Sequence, residues 1–310
     1  MKTTRILFVI AMVLAIAAPA EAKKVKLQYK LKAGDQFKYE VRTQQDNVQE
    51  IMGQTNSTTS TSQSSYGFNV KEVTASGDMV LSVALVEYGL SAVNPGGEGE
   101  MKFNSLTDTI VPNYAKSMVA LLNEYYSFTL SPFGKISNVI APEGIVEKVN
   151  KVVESLGDQM KMGAQAVGAT ASAEGFQKTL EGLIISFPEA GAETKKPWEL
   201  ESETNQMVAF KVVSKFEFIN SSKDANEIKM TAQVTQKPGT PPMEIQGMNM
   251  TFEMVGAKEG SLLLDPLTNL IKTGTYSTSI SGTISIDGPQ LPSPMSIPMT
   301  SLTKETITRK

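Results

Sequence analysis

The residues best able to do chemistry in this 310-residue chain lie near its C-terminus. Lys272-Thr273-Gly274 and Ser301-Leu302-Thr303-Lys304 match two fragments of a serine acyl-transfer signature, in which a lysine helps activate the serine. They occur in reversed order, no Ser-Asp-Asn element accompanies them, and Ser301 falls in a Thr-rich strand instead of opening a helix. The match is read as chance. Asp265 and Glu199 are carboxylates of the kind that acid–base hydrolysis pairs. No spacing argument brings them together, and Asp265-Pro266 has the chemistry of a turn: proline presets the backbone and aspartate bonds the amides that follow.

Absences narrow the remaining options. The chain has no histidine and no cysteine. Ser-His-Asp and Cys-His arrangements, His-ligated zinc and imidazole acid–base chemistry near neutral pH are therefore excluded, as is a disulfide framework. Methionines gather at Met243, Met248, Met250 and Met254, at Met295 and Met299, and at Met160 and Met162. Thioethers suit a copper site or a pliable apolar surface, but strands fill their cores the same way. No catalytic, cofactor-binding or metal-ligating residue is assigned, and no cofactor is expected. The formal charge of −3, without a basic cluster, gives no reason to expect nucleic acid.

The elements that would position any site are mainly strands. Val25, Leu27, Tyr29 and Leu31 alternate with Lys26, Gln28, Lys30 and Lys32, the period of a strand with one buried face. Phe37, Tyr39 and Val41 continue the pattern after Gly34-Asp35. Val208, Phe210, Val212, Phe216 and Phe218 form another face, and Ile228, Met230, Ala232 and Val234 a third. The run from Met79 to Val86 is apolar on both faces except at Ser82, which predicts a central, covered strand. Thr55 to Ser65 is almost all Ser and Thr and is expected as a polar edge strand. Pro289, Pro292, Pro294 and Pro298 predict an extended segment outside the centre of the sheet.

Helical spacing is confined to the middle. Ile145, Val149, Val152 and Leu156 recur at three- and four-residue steps, as do Phe176, Leu180, Leu183 and Ile184. A shorter candidate follows Pro112. The link 157–172, rich in Gly, Ala and Met, reads as a mobile loop or a loose helix. Val149, Val152, Leu156, Phe176, Leu180 and Leu183 are the expected ligand-lining residues, one apolar stripe from each long helix.

The first residues are basic, an apolar run from Ile6 to Ala18 follows, and Ala20-Glu21-Ala22 ends the segment. This order predicts a secretory signal peptide cut after Ala22, and the run is too short to span a bilayer. The expected location is the periplasm or the exterior, with no membrane span after cleavage. Asp108-Thr109-Ile110 also fits an acid-hydroxyl-aliphatic triplet glycosylated in some bacterial periplasms.

Ser131-Pro132-Phe133-Gly134-Lys135-Ile136 and Asp265-Pro266-Leu267-Thr268-Asn269-Leu270 echo one another, each after an apolar strand. The echo predicts one corner used once in each of two halves. Together with "LQYKLKAGDQFKYE", "YSFTLSPFGKISNV", "ISFPEAG…KKPWELE" and "LLLDPLTNLI", it resembles a family of uncharacterised secreted bacterial proteins of about this length. That family has no assigned activity, so the resemblance transfers no catalytic residue. The architecture is similar, more distantly, to the half-barrels of periplasmic lipoprotein carriers.

The expected fold is α+β and β-rich: long curved antiparallel strands in two related halves, with helices packed on the concave side. The expected divisions are a signal peptide at 1–22, an N-terminal β-rich half at 23–142, a helical segment at 143–188 and a C-terminal β-rich half at 189–310. The expected function is non-enzymatic: a binding or carrier protein of the cell envelope for a lipid or other apolar or amphipathic ligand. The rivals are a structural or interaction module with an envelope protein partner, and a carboxylate-based hydrolase.

Overall fold

A computed structural model describes residues 24–51, 53–93, 100–156, 158–205, 208–245, 247–289, 291 and 293–310. The expected signal peptide and the Gly-rich run at 94–99 lie outside the described residues. The fold is β-rich α+β. The strands are β1 (Lys24–Val25), β2 (Gln36–Ile51), β3 (Gln54–Val73), β4 (Met79–Val93), β5 (Glu100–Asn104), β6 (Tyr126–Leu130), β7 (Ile136–Ile140) and β8 (Ala192–Glu193). They continue with β9 (Trp198–Asn205), β10 (Ala209–Ser221), β11 (Asn226–Gln236), β12 (Met243–Ile245), β13 (Met248–Leu264), β14 (Ile271–Asp287) and β15 (Met295–Arg309). The helices are α1 (Lys116–Val119), α2 (Ile145–Glu154), α3 (Asp158–Thr170) and α4 (Ala173–Leu183). The link between the two long sequence-predicted helices is thus itself the helix α3.

Thirteen strands form one antiparallel sheet in the order β7-β6-β4-β3-β2-β15-β14-β13-β11-β10-β9, with β5 added to β4 and β12 to β13. The C-terminal strand joins the two halves: β15 pairs with β2 from Met299↔Gln49 to Arg309↔Tyr39. β4 is central and buried on both faces, as its apolar run requires. Most of the Ser/Thr-rich run is not at an edge. From Thr59, which lies opposite both Asp46 and Val93, it runs in β3 between β2 and β4, while Thr55 to Thr58 pair with β2 alone among the described residues. Threonine suits any pleated surface, so hydroxyl content alone does not mark an edge. Pro298 does lie inside β15, but in the part of the strand that extends past its ladder with β2 and is an edge on that side among the described residues.

Both ends of the sheet reach the same connector, residues 184–196. The Phe187 amide donates to the Phe133 carbonyl at the β6–β7 corner, and Ser186 Oγ donates to the Gly134 carbonyl. On the other side, Thr194 bridges Phe218 of β10, and the Trp198 indole donates to the Ser186 carbonyl. The sheet is therefore curled, with α4 and this connector filling the seam between its two ends. Inside the curl, Leu27, Tyr29 and Leu31 join Phe68, Phe128, Phe218, Leu262 and Ile307 in one core. A second core holds α2 and the neighbouring helical turns against Leu85, Tyr88 and Phe103.

The two echoing corners are built alike. Ser131 Oγ accepts from the Lys135 amide, while Asp265 Oδ1 accepts from the Leu267 and Thr268 amides at 2.9 and 3.1 Å. Each corner ends in a left-handed residue, Gly134 or Asn269. The N-terminal segment crosses both: the Tyr29 amide donates to the Pro132 carbonyl and the Lys30 amide to the Thr268 carbonyl. Asn269 Nδ2 adds a bond to the Gln28 carbonyl. The repeated corner is architecture, and the N-terminal segment is the brace laid across it.

Candidate functional site

The helix residues expected to line a ligand space lie in the packed interior. Val149 and Leu156 are buried in the helical core with Val152 packed against it; Phe176, Leu180 and Leu183 belong to the main core. Phe176 stacks on Tyr126 at 3.7 Å between ring centres. The void left where α1, α3 and α4 face the sheet, lined by Tyr66, Leu85, Met118, Leu121, Tyr126, Thr170, Phe176 and Thr179, is about 30 Å³. That is room for a water or two, not for a lipid. An open groove of about 680 Å³ runs along the outer side of α2, past Pro142, Glu147, Lys151 and Ser172. Two of the charges on its lining are paired with each other, Lys151 with Glu147 at 2.8 Å.

The less committed surface is the inner wall of the sheet beyond the helices. Register sets which side chains share it, because opposite residues on neighbouring strands point to one face. Nearest the corners the inner row is apolar: Val41, Ile307, Gly274, Leu262, Ile228 and Phe218 stand side by side across six strands. The next two rows are polar over much of their width. One carries Thr43, Glu305 and Tyr276; the other carries Gln45, Thr303, Thr278, Lys258 and Ser214. Farther along, the inner positions turn apolar again. Val208, Phe252, Met254, Ile284 and Ile297 form a small third core, with Met243, Met250, Met295, Met299, Ile280, Ile286, Phe210 and Ile51 half-buried around it.

The polar belt is electrostatically loaded. Burial pushes the Glu305 carboxyl up from its ordinary range, and only the charge of Lys258 opposes the shift. Burial likewise raises the Tyr276 hydroxyl, and the Glu305 charge adds to that rise. Tyr66, facing the belt from β3, is pushed up to about 12 by burial, despite a bond with Ser64. The Lys258 amine sits 4.2 Å above the Tyr276 ring, a cation–π contact. Among the described residues, no fully buried side-chain polar atom lacks a partner. Since the Glu305 carboxylate has no ion pair or hydrogen bond there, its oxygens reach solvent inside the curl. Tight cross-strand packing supports this wall. The Tyr276 ring lies over Gly260, where an added Cβ would overlap it.

The outer wall is of opposite character. Lys38, Glu40, Arg42, Gln44 and Asp46 alternate along the outer face of β2, and Glu199, Glu201 and Glu203 pair with Lys215, Lys211 and Lys237 at 3.0, 2.9 and 2.7 Å. Polar outside and apolar inside is the reverse of a membrane-spanning barrel. No described helix is long and apolar enough to cross a membrane.

The sequence-level catalytic candidates are not brought together. Asp265 is held by Arg309 at 2.6 Å, at the β13–β14 corner, while Glu199 faces out on β9 against Lys215. Lys272 donates to the Asp224 carbonyl outside the sheet, while Ser301 is inward and accepts from Gln45. Thr109 lies in an exposed turn with Ile110, which is 83 % exposed. The Met160 and Met162 side chains lie outside the described residues.

What sequence reasoning missed are the tyrosine clamps. Tyr29 Oη donates to the Ile185 carbonyl and accepts from its amide at 2.9 Å; Tyr39 Oη accepts from the Ile271 amide at 3.0 Å; Tyr126 Oη donates to the Ala171 carbonyl. The signal was present, since a tyrosine on a fully apolar face needs a partner for its hydroxyl.

The model of a family of unknown function (DUF6263) matches residues 76–271, well over half of the chain, and the chain belongs to that family. Comparison with curated proteins finds no match. Among solved structures, one of lipid–protein interactions in lipovitellin is similar at 9 % identity and a TM-score of 0.46. The likeness covers 91 % of this chain and 25 % of that one, so the chain spans about a quarter of its length. An outer membrane channel from Pseudomonas putida F1 is similar at 8 % identity and a TM-score of 0.21, over 95 % of this chain and 100 % of that one. Likenesses at this level carry no functional argument.

Proposed function

We propose that the chain is a non-enzymatic binding or carrier protein of the cell envelope, holding an apolar or amphipathic ligand on the inner wall of its curled sheet. One observation carries the reading. The inner wall ends in a methionine-rich apolar surface, Met243, Met250, Met295 and Met299, that the fold leaves half-exposed next to a polar belt. The other inward apolar residues are packed into the two larger cores or, at Val208, Phe252, Met254, Ile284 and Ile297, into the third. Methionine adapts its shape to what it touches, and flexible thioethers suit a surface that alternates between empty and filled. The envelope location rests on the secretory pattern of residues 1–22.

Native mass spectrometry of the protein purified from its own host is the test. A co-purifying lipid is the expected result, and Met250→Glu, which places a charge on the apolar wall, should remove it while the fold still melts cooperatively. A protein partner in place of the lipid would instead favour the interaction-module reading.

A further inference from the structure

We infer that the ligand is an amphiphile with one anionic head group, a carboxylate or phosphate, and that Lys258 is the residue that receives the head. This rests on the carrier reading above and specifies its ligand. Three observations converge on it. Lys258 points inward from β13, opposite Thr278 of β14 and Ala232 of β11, onto a wall whose other strands offer hydroxyls at that row: Thr278, Thr303 and Ser214. Its ammonium rests on the face of the Tyr276 ring and, although it feels the charge of Glu305, makes no ion pair or hydrogen bond among the described residues, in contrast to the paired lysines of the outer wall. A half-buried cation resting on an aromatic face keeps its remaining N–H donors for an incoming anion.

The surroundings then fix where the tail goes. Toward the corners the wall is closed by the packed row of Leu262, Ile228 and Ile307. In the other direction the inner positions on β13 and β14 run Gly256 and Ile280, Met254 and Gly282, Phe252 and Ile284, Met250 and Ile286. At about 3.4 Å per residue, Gly256 to Met250 spans about 20 Å, long enough for an extended acyl chain. Gly256 and Gly282 let the neighbouring strands close in, since an added Cβ would overlap the Ser279 carbonyl oxygen and Ile280 at the first and the Glu253 carbonyl oxygen at the second. The tail would therefore lie over the side chains of Ile280, Met254 and Ile284. A head at Lys258 with a tail toward the methionine rim therefore matches charge to charge and apolar to apolar.

Glu305 sets the limit on that charge. It faces the same belt from β15, opposite Tyr276 on β14 and Thr43 on β2, and its charge also reaches the Tyr66 hydroxyl on β3. Lys258 is the cation whose field it feels. An ionised Glu305 repels an anionic head, so removing its charge tightens binding.

The experiment compares two probes of equal tail, anthroyloxy-labelled palmitate and its uncharged methyl ester, titrated against the full mature protein. Lys258→Met should weaken palmitate about tenfold and leave the ester within twofold. Glu305→Gln should tighten palmitate several-fold and leave the ester unchanged. Lys272→Gln, on the outer wall, should move neither. Inorganic phosphate in excess should compete weakly at most, since it lacks the tail; full displacement by phosphate would make the site a plain anion site and overturn the inference. Equal shifts of both probes in Lys258→Met would also overturn it, while leaving the carrier reading intact. If neither probe saturates on the unsubstituted protein, both fail together.

Discussion

At the scale of single residues, charge is placed so that each buried group has a defined effect on stability. Asp265 is the clearest case. Partial burial alone would raise its carboxyl, but the bond from Arg309, two backbone amides and the nearby guanidinium outweigh it and hold the group down at about 2. A carboxylate whose folded value lies below its ordinary 3.8 adds stability that is complete above about pH 4 and is lost as pH falls through about 2. The side chains retain some contact with water, so the share at neutral pH is about 1–2 kcal/mol after allowing for screening. Asp265→Asn should lower the melting temperature at pH 7, and the gap from the unsubstituted protein should close on acidification toward pH 2. A gap that stays constant would assign the effect to the turn bonds alone. Glu305 runs in the opposite sense. Its carboxyl is raised by burial, so folding is penalised above its folded value and the penalty disappears as pH falls below the ordinary carboxylate range. Glu305→Gln should therefore raise the melting temperature at pH 7, with the gain vanishing in mild acid. Tyr29→Phe keeps the ring against Phe187 but leaves both backbone groups of Ile185 without their partner. A loss of about 1–3 kcal/mol is expected in denaturant melts.

At the scale of elements, the corner at 131–135 shows how a short motif holds distant parts together. Gly134 adopts a left-handed backbone, and a Cβ there would overlap the Ile185 carbonyl oxygen of the connector. Gly134→Ala should cost about 2–3 kcal/mol or more by equilibrium unfolding, from backbone strain and steric conflict together. Gly144→Ala, also left-handed but with open space around it, should cost less. The two corners were legible because proline and a hydroxyl or carboxyl leave a local signature. So were β4, from its two apolar faces, and the stripes of α2 and α4, from their spacing. α3 was half-legible: its Gly and Ala residues fit a loose helix as well as a loop. The position of β3 within the sheet was not legible, because strand order is decided by long-range pairing and a row of Ser and Thr carries little burial signal. For the same reason, no local pattern announced that Lys258, Tyr276 and Glu305, on three different strands, share one patch of wall. Each looked like an ordinary polar residue in its own strand, and only register brings them together.

At the scale of the whole molecule, the question is whether two β-rich halves behave as one body. The ladder between β2 and β15 joins them along the sheet, and the N-terminal segment joins them across its base. That segment places Leu27, Tyr29 and Leu31 in the main core, at 1 %, 4 % and 7 % exposure, between a corner from each half. The brace starts at β1, past the expected cleavage point after Ala22, so a cut there would leave it whole. Burying a leucine-sized side chain is worth about 1.5–3 kcal/mol, so these three contribute an amount comparable to the net stability of an ordinary domain. Losing the brace should therefore weaken both halves at once. Calorimetry of the mature chain should give one transition, with calorimetric and van't Hoff enthalpies in agreement. Leu27→Ala, which empties a tightly packed position, should move that single transition down by about 2–4 kcal/mol without splitting it. Hydrogen exchange should report the same loss on both sides of the brace, at Phe128 in β6 and at Leu262 in β13, although neither lies in the segment that was changed. Two resolved transitions, or lost protection on one side only, would show that the halves unfold independently and that the sheet's continuity is geometric without being cooperative.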